Sequence, residues 1–581
     1  MKKRIAQISF ILGFGILSFI FLTVSLTALG LLVGITVTPL WLILSLLLSS
    51  GLVYYLLAKQ ATPRPWLWAA ILPVVVFGCI AISSAIIDAS WDGNSYHKTA
   101  IGQLASGWDP IRDDVNAFNA SPANHFKILG VEGTNRSYDT PWINHYPKAA
   151  WFYAANTYRL TGNIESGKSI ALLLIITLFL FAFGYLYQKL NRNKAILLSS
   201  ILAFNPIIAV QLYSYYVDGV LGNLLVILLI ACTLLIDKKA VVVNRQLLVY
   251  GTTFMALALA VNIKFTGVVY GAIIVGCYWL YLLVRKNWSL LVRLSIVGAA
   301  ALLFGVVAVG MSSYVKNVHT NGNPIYPLAG KGSIDFITPL EPAGYEHESN
   351  LRKFIDANLN RTGIESREST LLHGDPPRKI PFSITFEEVN LLHGVDIKQG
   401  GYGPWFGGIL IVSTGMGIYL LIRYGRRYQK QLPLFLIPLA TLAIAIVGVD
   451  ATWWARYLPY LPIFPVIVII ALYIRKETIL PNILVFALLF NVTLMTVMSL
   501  NNQSKVLDLA DLTFAQLKPC NSKQPLYVYS SLRLDGTLYN LHDKCSNVTP
   551  ITLKAFKTVP DKDKVMLYNS IYLVTNKNFK P

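Results

Sequence analysis

Charged side chains are scarce in this chain. Only 13% of its 581 residues are Asp, Glu, Lys or Arg, about half the share of an ordinary soluble domain, while 54% are apolar. That shortage excludes a soluble globular protein, because such a chain cannot cover its surface with polar groups. Acid is scarcer than base, 29 residues against 49, for a net charge of +20. No basic stretch interleaved with aromatics lies outside the apolar runs, so the surplus does not build a nucleic-acid surface. The N-terminal apolar run, Ile8 to about Gly34 after "MKKR", is too long for a signal-peptide core. It also lacks a small-x-small cleavage site, and so reads as a retained span. Low-complexity tracts and short internal repeats are absent. Cysteine is rare, with five in all. Cys79, Cys232 and Cys277 fall in apolar runs, where a small buried residue is ordinary. Cys520 and Cys545 fall near the C-terminus.

What is present is a long series of apolar runs, near 8–35, 38–58, 67–87, 169–188, 195–213, 216–236, 246–262, 266–284, 291–312, 405–423, 432–449, 457–474 and 479–499. At roughly 20 residues per crossing they predict an all-α polytopic membrane protein of about thirteen transmembrane helices. With the N-terminus cytoplasmic, every short inner loop carries at least two cations, for example Lys189, Arg192 and Lys194, or Lys238, Lys239 and Arg245. The short outer turns hold almost none, which is the positive-inside pattern. Three larger pieces, 88–167, 313–404 and 500–581, then lie outside with the C-terminus. The last contains strand-like "PLYVYS" and "SIYLVTN" and reads as a small α/β appendage. A Cys520–Cys545 disulfide fits its oxidising side.

The outer pieces carry the chemistry. The first opens on "SAIIDASWDGNSYHK", where an apolar run ends in Asp88, Trp91, Asp92, Tyr96, His97 and Lys98. Ionisable groups at the lipid edge need solvation or a partner and are functional candidates. A bland account has Asp88 capping a helix and Asp92 in a solvated turn. A carboxylate there can also remove a proton from a hydroxyl. The same loop supplies Trp142, His145 and Tyr146. It then gives a stripe of Ala149, Trp151, Phe152, Ala155 and Tyr158, spaced as an amphipathic helix lying along the membrane surface. The second piece begins "YVKNVHTNGNPIYP", with Lys316 and His319, and closes on the glycine-rich "GVDIKQGGYGPWFGG". Two outer cations break the charge rule: Lys264 in "NIKFTG" and Arg456 in "DATWWARYLPYLP". Both are at the height of a lipid-borne phosphate, which suits a guanidinium fork; snorkelling is the plainer account.

Four of these stretches, in order on one topology, resemble the GT-C superfamily of membrane glycosyltransferases, and most closely the bacterial relatives of protein O-mannosyltransferases and lipid A aminoarabinose transferases. Trp91, Asp92, Tyr96 and His97 match its tryptophan–aspartate–x–x–x–tyrosine–histidine pattern. Gly322, Asn323, Pro324, Tyr326 and Pro327 match a Gly-Asn-Pro-x-Tyr-Pro element. Gly400, Gly401, Gly403 and Pro404 match "GGxGP", and Arg456 with Tyr457 a late Arg-Tyr. The paired acids common in that superfamily are missing, which leaves Asp88 or Asp92 as the base.

The resemblance implies two additional N-terminal helices in 1–66, a seven-helix core in 67–312, four further helices in 405–499 and the appendage in 500–581. It implies an enzyme of the bacterial cytoplasmic (inner) membrane that uses a polyprenyl-phosphate sugar and inverts the anomeric centre. The acceptor hydroxyl belongs to a lipid, glycan, wall polymer or protein. Asp92 or Asp88 is then catalytic. Arg456, Lys264, Lys316 and Tyr457 bind the lipid phosphate, and Trp91, Tyr96, His97, Trp142, His145, Tyr146 and His319 meet substrate. Asp88, Asp92, Asp109, Asp113 and Asp114 offer hard oxygens to a divalent metal, Mg2+ or Mn2+, though in no recognised spacing. A transporter or flippase, a polysaccharide polymerase or ligase, and a partner-binding scaffold are the rival readings. Asp218, near the start of the sixth span, is the residue a transporter reading would use.

Overall fold

The computed structural model describes residues 2–120, 140–242, 244–364, 377–427, 429, 431–516, 525–530, 535–545, 548–567 and 571–575. Among them, ten helices are long and apolar enough to cross a membrane: Lys2–Leu32, Pro39–Ala58, Pro65–Ser84, Ile164–Leu186, Asp218–Ile236, Gln246–Ile263, Thr266–Val284, Trp288–Val309, Phe406–Tyr424 and Ile479–Ala515. Two shorter apolar helices, Pro433–Gly448 and Ile463–Ile474, join them. The chain is a mostly helical, multi-pass membrane protein.

The expected fifth span, 195–213, is two pieces, Arg192–Ala203 and Pro206–Gln211. Pro206 has no amide hydrogen and disfavours helical backbone at the residue before it. Asn205 therefore leaves the helix and caps the next, accepting from the amides of Ile207 and Ile208 at 3.1 and 3.2 Å. Prolines act likewise at 459 and 462, where the expected 457–474 span becomes helical only from Ile463. The residues before it, 449–462, run as irregular backbone with two 3-10 turns. Such backbone is tolerated at membrane depth when protein buries it, and Trp453, Trp454, Leu458 and Tyr460 are all buried.

The first helix is not peripheral. Two-thirds (67%) of its most apolar window is buried, against 39% and 33% for the next two helices. It packs on the Ser169–Leu186 and Ala149–Thr161 helices as well as on its neighbour Pro39–Ala58. The outlying pair is thus 39–84, across the boundary at 66 that the sequence suggested. The Ala149–Thr161 helix also departs from expectation. Every side chain from Ala149 to Tyr158 is buried, and Asn156 donates to Thr27 Oγ1 at 2.7 Å. Small and aromatic residues circle this helix, so it plugs the bundle instead of lying on lipid.

At the other end, the Ile479–Gln516 helix continues straight through the expected boundary at 499. Its 38 residues span about 57 Å, well beyond a hydrocarbon core of roughly 30 Å, and lead to the appendage. There, strands β1 (Leu526–Ser530), β2 (Val548–Pro550), β3 (Lys564–Met566) and β4 (Ile571–Val574) form one mixed sheet in the order β2-β1-β4-β3. β1 runs parallel to β2 and antiparallel to β4. Cys545 is disulfide-bonded; Cys520 lies outside the described residues.

The appendage docks through its Gly536–Lys544 helix onto the first outer loop. Lys98, fully buried, pairs with Glu165 at 2.6 Å and donates to Asn540 Oδ1 at 2.7 Å. Asn540 Nδ2 donates to Glu165 at 2.7 Å, and Lys168 closes the cluster at 2.7 Å. Asp543 accepts from the Tyr158 hydroxyl and the Ile164 amide, each at 2.7 Å. The Tyr539 ring packs against Gly102, where a Cβ would sit 2.1 Å from a ring carbon. Gly102→Val is therefore expected to expel Tyr539, a steric cost of about 1–3 kcal/mol. Limited trypsin digestion in detergent should release the appendage faster from this variant than from wild type. Equal rates would contradict the docking described.

Candidate functional site

Asp88 and Asp92 lie one turn apart but face different surroundings. After the Pro65–Ser84 helix the chain turns, and residues Gly93–His97 make a wide π-type turn that runs into the Lys98–Ala105 helix. Asp88 is buried, and its carboxylate accepts from the Ser90 amide through Oδ1 and the Tyr215 amide through Oδ2, both at 2.8 Å. Burial raises its pKa, which Lys98 opposes. It belongs with the Lys98–Glu165–Lys168 cluster under the appendage. Asp92 points the other way. Its Oδ2 accepts from the Tyr96 hydroxyl at 3.3 Å and from Arg456 Nη2 at 3.1 Å. Its Oδ1 makes no hydrogen bond among the described residues, and its side chain keeps 18% of its surface exposed.

Arg456 is the hub. It stands on the irregular 449–462 segment, and three carboxylates from three distant parts of the chain converge on it. Nη2 meets Asp92; Nη1 donates to Asp396 Oδ1 at 2.7 Å; Nε is 3.1 Å from Asp218 Oδ2. Burial works against its charge, and Asp218, then Asp396 and Asp92, more than offset this and raise its pKa. Asp218 is fully occupied, for Oδ1 binds Lys264 Nζ and Oδ2 accepts from Gln211 at 3.1 Å. Lys264 is held over the Tyr457 ring at 4.0 Å, while Tyr216, Trp454 and Tyr457 present rings to the guanidinium at 4.6, 5.1 and 5.5 Å. Burial lowers the Lys264 pKa against the pull of Asp218.

Local sequence explains why Arg456 sits where it does. Pro459 and Pro462 disfavour helical backbone at Leu458 and Leu461, and the segment is also pinned from outside. Tyr402 donates to the Leu458 carbonyl at 2.8 Å and Tyr270 to that of Tyr457. Gly401 of "GGYGP" packs so closely that a Cβ would lie 2.7 Å from that of Ala455. The second outer loop clamps the other side. Its Asn350–Leu359 helix carries Lys353, which bridges Glu341 at 2.8 Å and Asp450 at 3.2 Å. Tyr345 and Ala357 pack with Trp453, Trp454 and Tyr457.

The remaining predicted residues divide. Tyr96, His97 and Tyr146 form an aromatic wall with Trp151 behind Asp92, at ring separations of 4.3–6.4 Å. His97 is buried and accepts the Trp151 indole N–H at Nδ1, 2.7 Å; burial pushes its pKa down to about 4. Trp91 is 53% exposed. Trp142 packs on Tyr146 and Phe336. His145 hydrogen-bonds Asn317 at 2.6 Å and meets the Tyr326 ring, so the Gly-Asn-Pro-Ile-Tyr-Pro turn ties the two outer loops together. His319 is exposed. Lys316 is engaged elsewhere, donating to the carbonyls of Pro110 at 2.7 Å and Asp113 at 3.1 Å. Asp109 pairs with Arg112, and Asp114 accepts from Asn144 at 2.5 Å, so these acids are not gathered with Asp92. Among the described residues no group of three or more His, Cys, Asp or Glu is placed to hold a metal ion.

Asp396, Tyr216 and Trp454 were not singled out from sequence. Asp396 had a signal, a lone acid beside the glycine-rich run. Asp218 was noted, but its bond to both anomalous cations was not foreseeable along the chain.

No protein-family profile matches the chain, and no curated protein matches it in sequence. Among solved structures, it is similar to ArnT from Cupriavidus metallidurans. The crystal structure of that protein in the apo state matches over 90% of this chain and 100% of its own, at 12% identity and a TM-score of 0.43. The structure bound to undecaprenyl phosphate matches over 88% and 99%, at 14% identity and a TM-score of 0.42.

Two outcomes follow from the cluster. Asp218→Asn leaves two buried cations without their shared carboxylate and is expected to cost about 3–5 kcal/mol, read as a lower unfolding midpoint in detergent; an unchanged midpoint would contradict the burial of this pair. His97 binds its proton less readily when folded than when unfolded. Its contribution to stability is therefore complete above about pH 6.5 and is lost as pH falls towards 4, on the order of 3 kcal/mol. Wild type should lose stability over that interval, and His97→Gln should flatten the profile.

Proposed function

We propose that this protein is an inverting membrane glycosyltransferase that moves a sugar from a polyprenyl-phosphate donor to an acceptor hydroxyl at the outer face of a bacterial cytoplasmic membrane. The observation that carries this reading is the Asp92–Arg456 pair: a carboxylate 18% exposed, whose Oδ1 has no hydrogen bond among the described residues, beside a guanidinium whose Nη1 and Nη2 face partly exposed carboxylates. A phosphate matches that fork in the same bidentate way as a carboxylate.

In this mechanism the donor phosphate takes Nη1 and Nη2, displacing Asp396 and Asp92. Lys264 supplies a second positive charge across Asp218. Asp92, released from the guanidinium, accepts the proton of the acceptor hydroxyl. The hydroxyl oxygen then bonds to the anomeric carbon as the carbon–oxygen bond to the lipid phosphate breaks. The extra negative charge on the leaving phosphate is stabilised by Arg456 and Lys264, fixed beforehand by Asp218, which is the electrostatic preorganisation such a step requires. One displacement inverts the centre. Asp88, with both oxygens held by backbone amides, takes no part. Tyr457 lines the phosphate site, and Trp91, on the Asp92 turn, is placed to stack on a sugar face. Tyr96 orients Asp92 through its hydroxyl, with His97 and Tyr146 packed behind it, and Trp142, His145 and His319 are assigned to the acceptor side.

A transporter would need Asp218 free to bind or release its cargo; here it is committed to Lys264, Arg456 and Gln211. The test is release of polyprenyl phosphate from a labelled lipid-linked sugar in membranes with and without the protein. Asp92→Asn should cut release at least about 100-fold with the unfolding midpoint preserved, and near-normal turnover would overturn the assignment.

A further inference from the structure

Asp218 and Asp237 mark the two ends of one buried helix, Asp218–Ile236, about 28 Å apart at 1.5 Å per residue. The Arg456 site is at the first end. At the second, on the opposite face, a cavity of about 750 Å3 opens between this helix and the Ser169–Leu186, Pro433–Gly448 and Ile463–Ile474 helices. Its mouth carries Lys189, Lys238, Lys239, Arg426 and Arg427 against a single acid, Asp237. That acid is already satisfied by Lys189 at 2.6 Å and the Tyr185 hydroxyl at 3.0 Å. The rim is built, not loose. Arg245 donates to the carbonyls of Ala240 and Asp237, each at 2.7 Å, and Gln188 accepts from the Val241 amide at 2.7 Å, which fixes the turn that presents Lys238 and Lys239.

Below the rim the walls change character. Val226, Leu229 and Ile230 face Val466, Ile467 and Ile470 across an apolar slot, which runs about 15 Å into the bundle from Ile236 to Val226. Five cations over a deep apolar slot match neither a free anion, which has no use for the slot, nor a neutral lipid, which has no use for the rim. Basic pockets between transmembrane helices on the cytoplasmic side take anionic lipid headgroups, and the positive-inside pattern assigns this face to the cytoplasm.

The geometry points to a bound anionic glycerophospholipid of the inner leaflet, with its phosphodiester among Lys238, Lys239 and Arg426 and one acyl chain in the slot between the Asp218–Ile236 and Ile463–Ile474 helices. The site is independent of the chemistry proposed at Arg456.

Purified full-length protein, exchanged into nanodiscs of phosphatidylglycerol and phosphatidylcholine, tests this by native mass spectrometry of the lipid retained on ejection into detergent. Wild type should retain phosphatidylglycerol over phosphatidylcholine. Each cation removed in Lys238→Gln, Lys239→Gln and Arg426→Gln should weaken retention about fivefold, the equivalent of about 1 kcal/mol per charge. Ile470→Trp, which fills the slot and keeps every charge, should lose the lipid as well, so that a failure of the charge variants to fold does not decide the matter. Equal retention of phosphatidylcholine, retention unchanged in either set of variants, or preferential capture of added undecaprenyl phosphate over phosphatidylglycerol would overturn the assignment.

Discussion

A single buried carboxylate, Asp218, holds two cations that would otherwise be intolerable at this depth. Its side chain is 1% exposed and joins Lys264 through one oxygen and Arg456 through the other. Removing an ammonium and a guanidinium from water is costly, and a shared counter-ion with further hydrogen bonds is what makes the arrangement stable. Its position in the first turn of the Asp218–Ile236 helix adds a favourable interaction with the helix N-terminus. With Asp218 fully engaged, the Nη atoms of Arg456 face two carboxylates that are more exposed, Asp92 and Asp396.

The rest of the fold serves this junction. The prolines at 459 and 462 break helical backbone at the end of 449–462, and Gly401, Tyr402 and Tyr270 hold the segment close. The second outer loop closes over the same segment through Lys353 and through Tyr345 and Ala357 packed on Trp453 and Trp454. The first outer loop delivers Asp92 on a short turn anchored by Asp88, whose carboxylate is tied to the Ser90 and Tyr215 amides. The appendage then buries the far side of that turn. Two neighbouring aspartates thus face opposite ways: Asp88 anchors the turn, and Asp92 meets Arg456.

Much of this was legible along the chain. Hydropathy and charge placement gave a polytopic bundle, two anomalous cations and an aspartate on the first outer loop, and those three features meet in space. Residues that broke a pattern were the informative ones. What was not legible depended on partners far apart in sequence. Asp92 and Arg456 are 364 residues apart, and nothing local joins them. The Ala149–Thr161 stripe has the period of a surface helix, but period cannot distinguish lipid from protein as the apolar neighbour. The first helix is as apolar as the two that follow, so only packing shows that it belongs inside. Pro206 was visible, yet its effect was masked by the continuous apolar run around it.

The most direct test is a structure of the protein with a polyprenyl phosphate bound. The account predicts phosphate oxygens about 2.7–2.9 Å from the Arg456 Nη atoms, Lys264 beside them, and Asp92 withdrawn from the guanidinium while Asp218 still joins both cations. A phosphate more than about 4 Å from both cations, or one bound while Asp92 stays paired with Arg456, would contradict it.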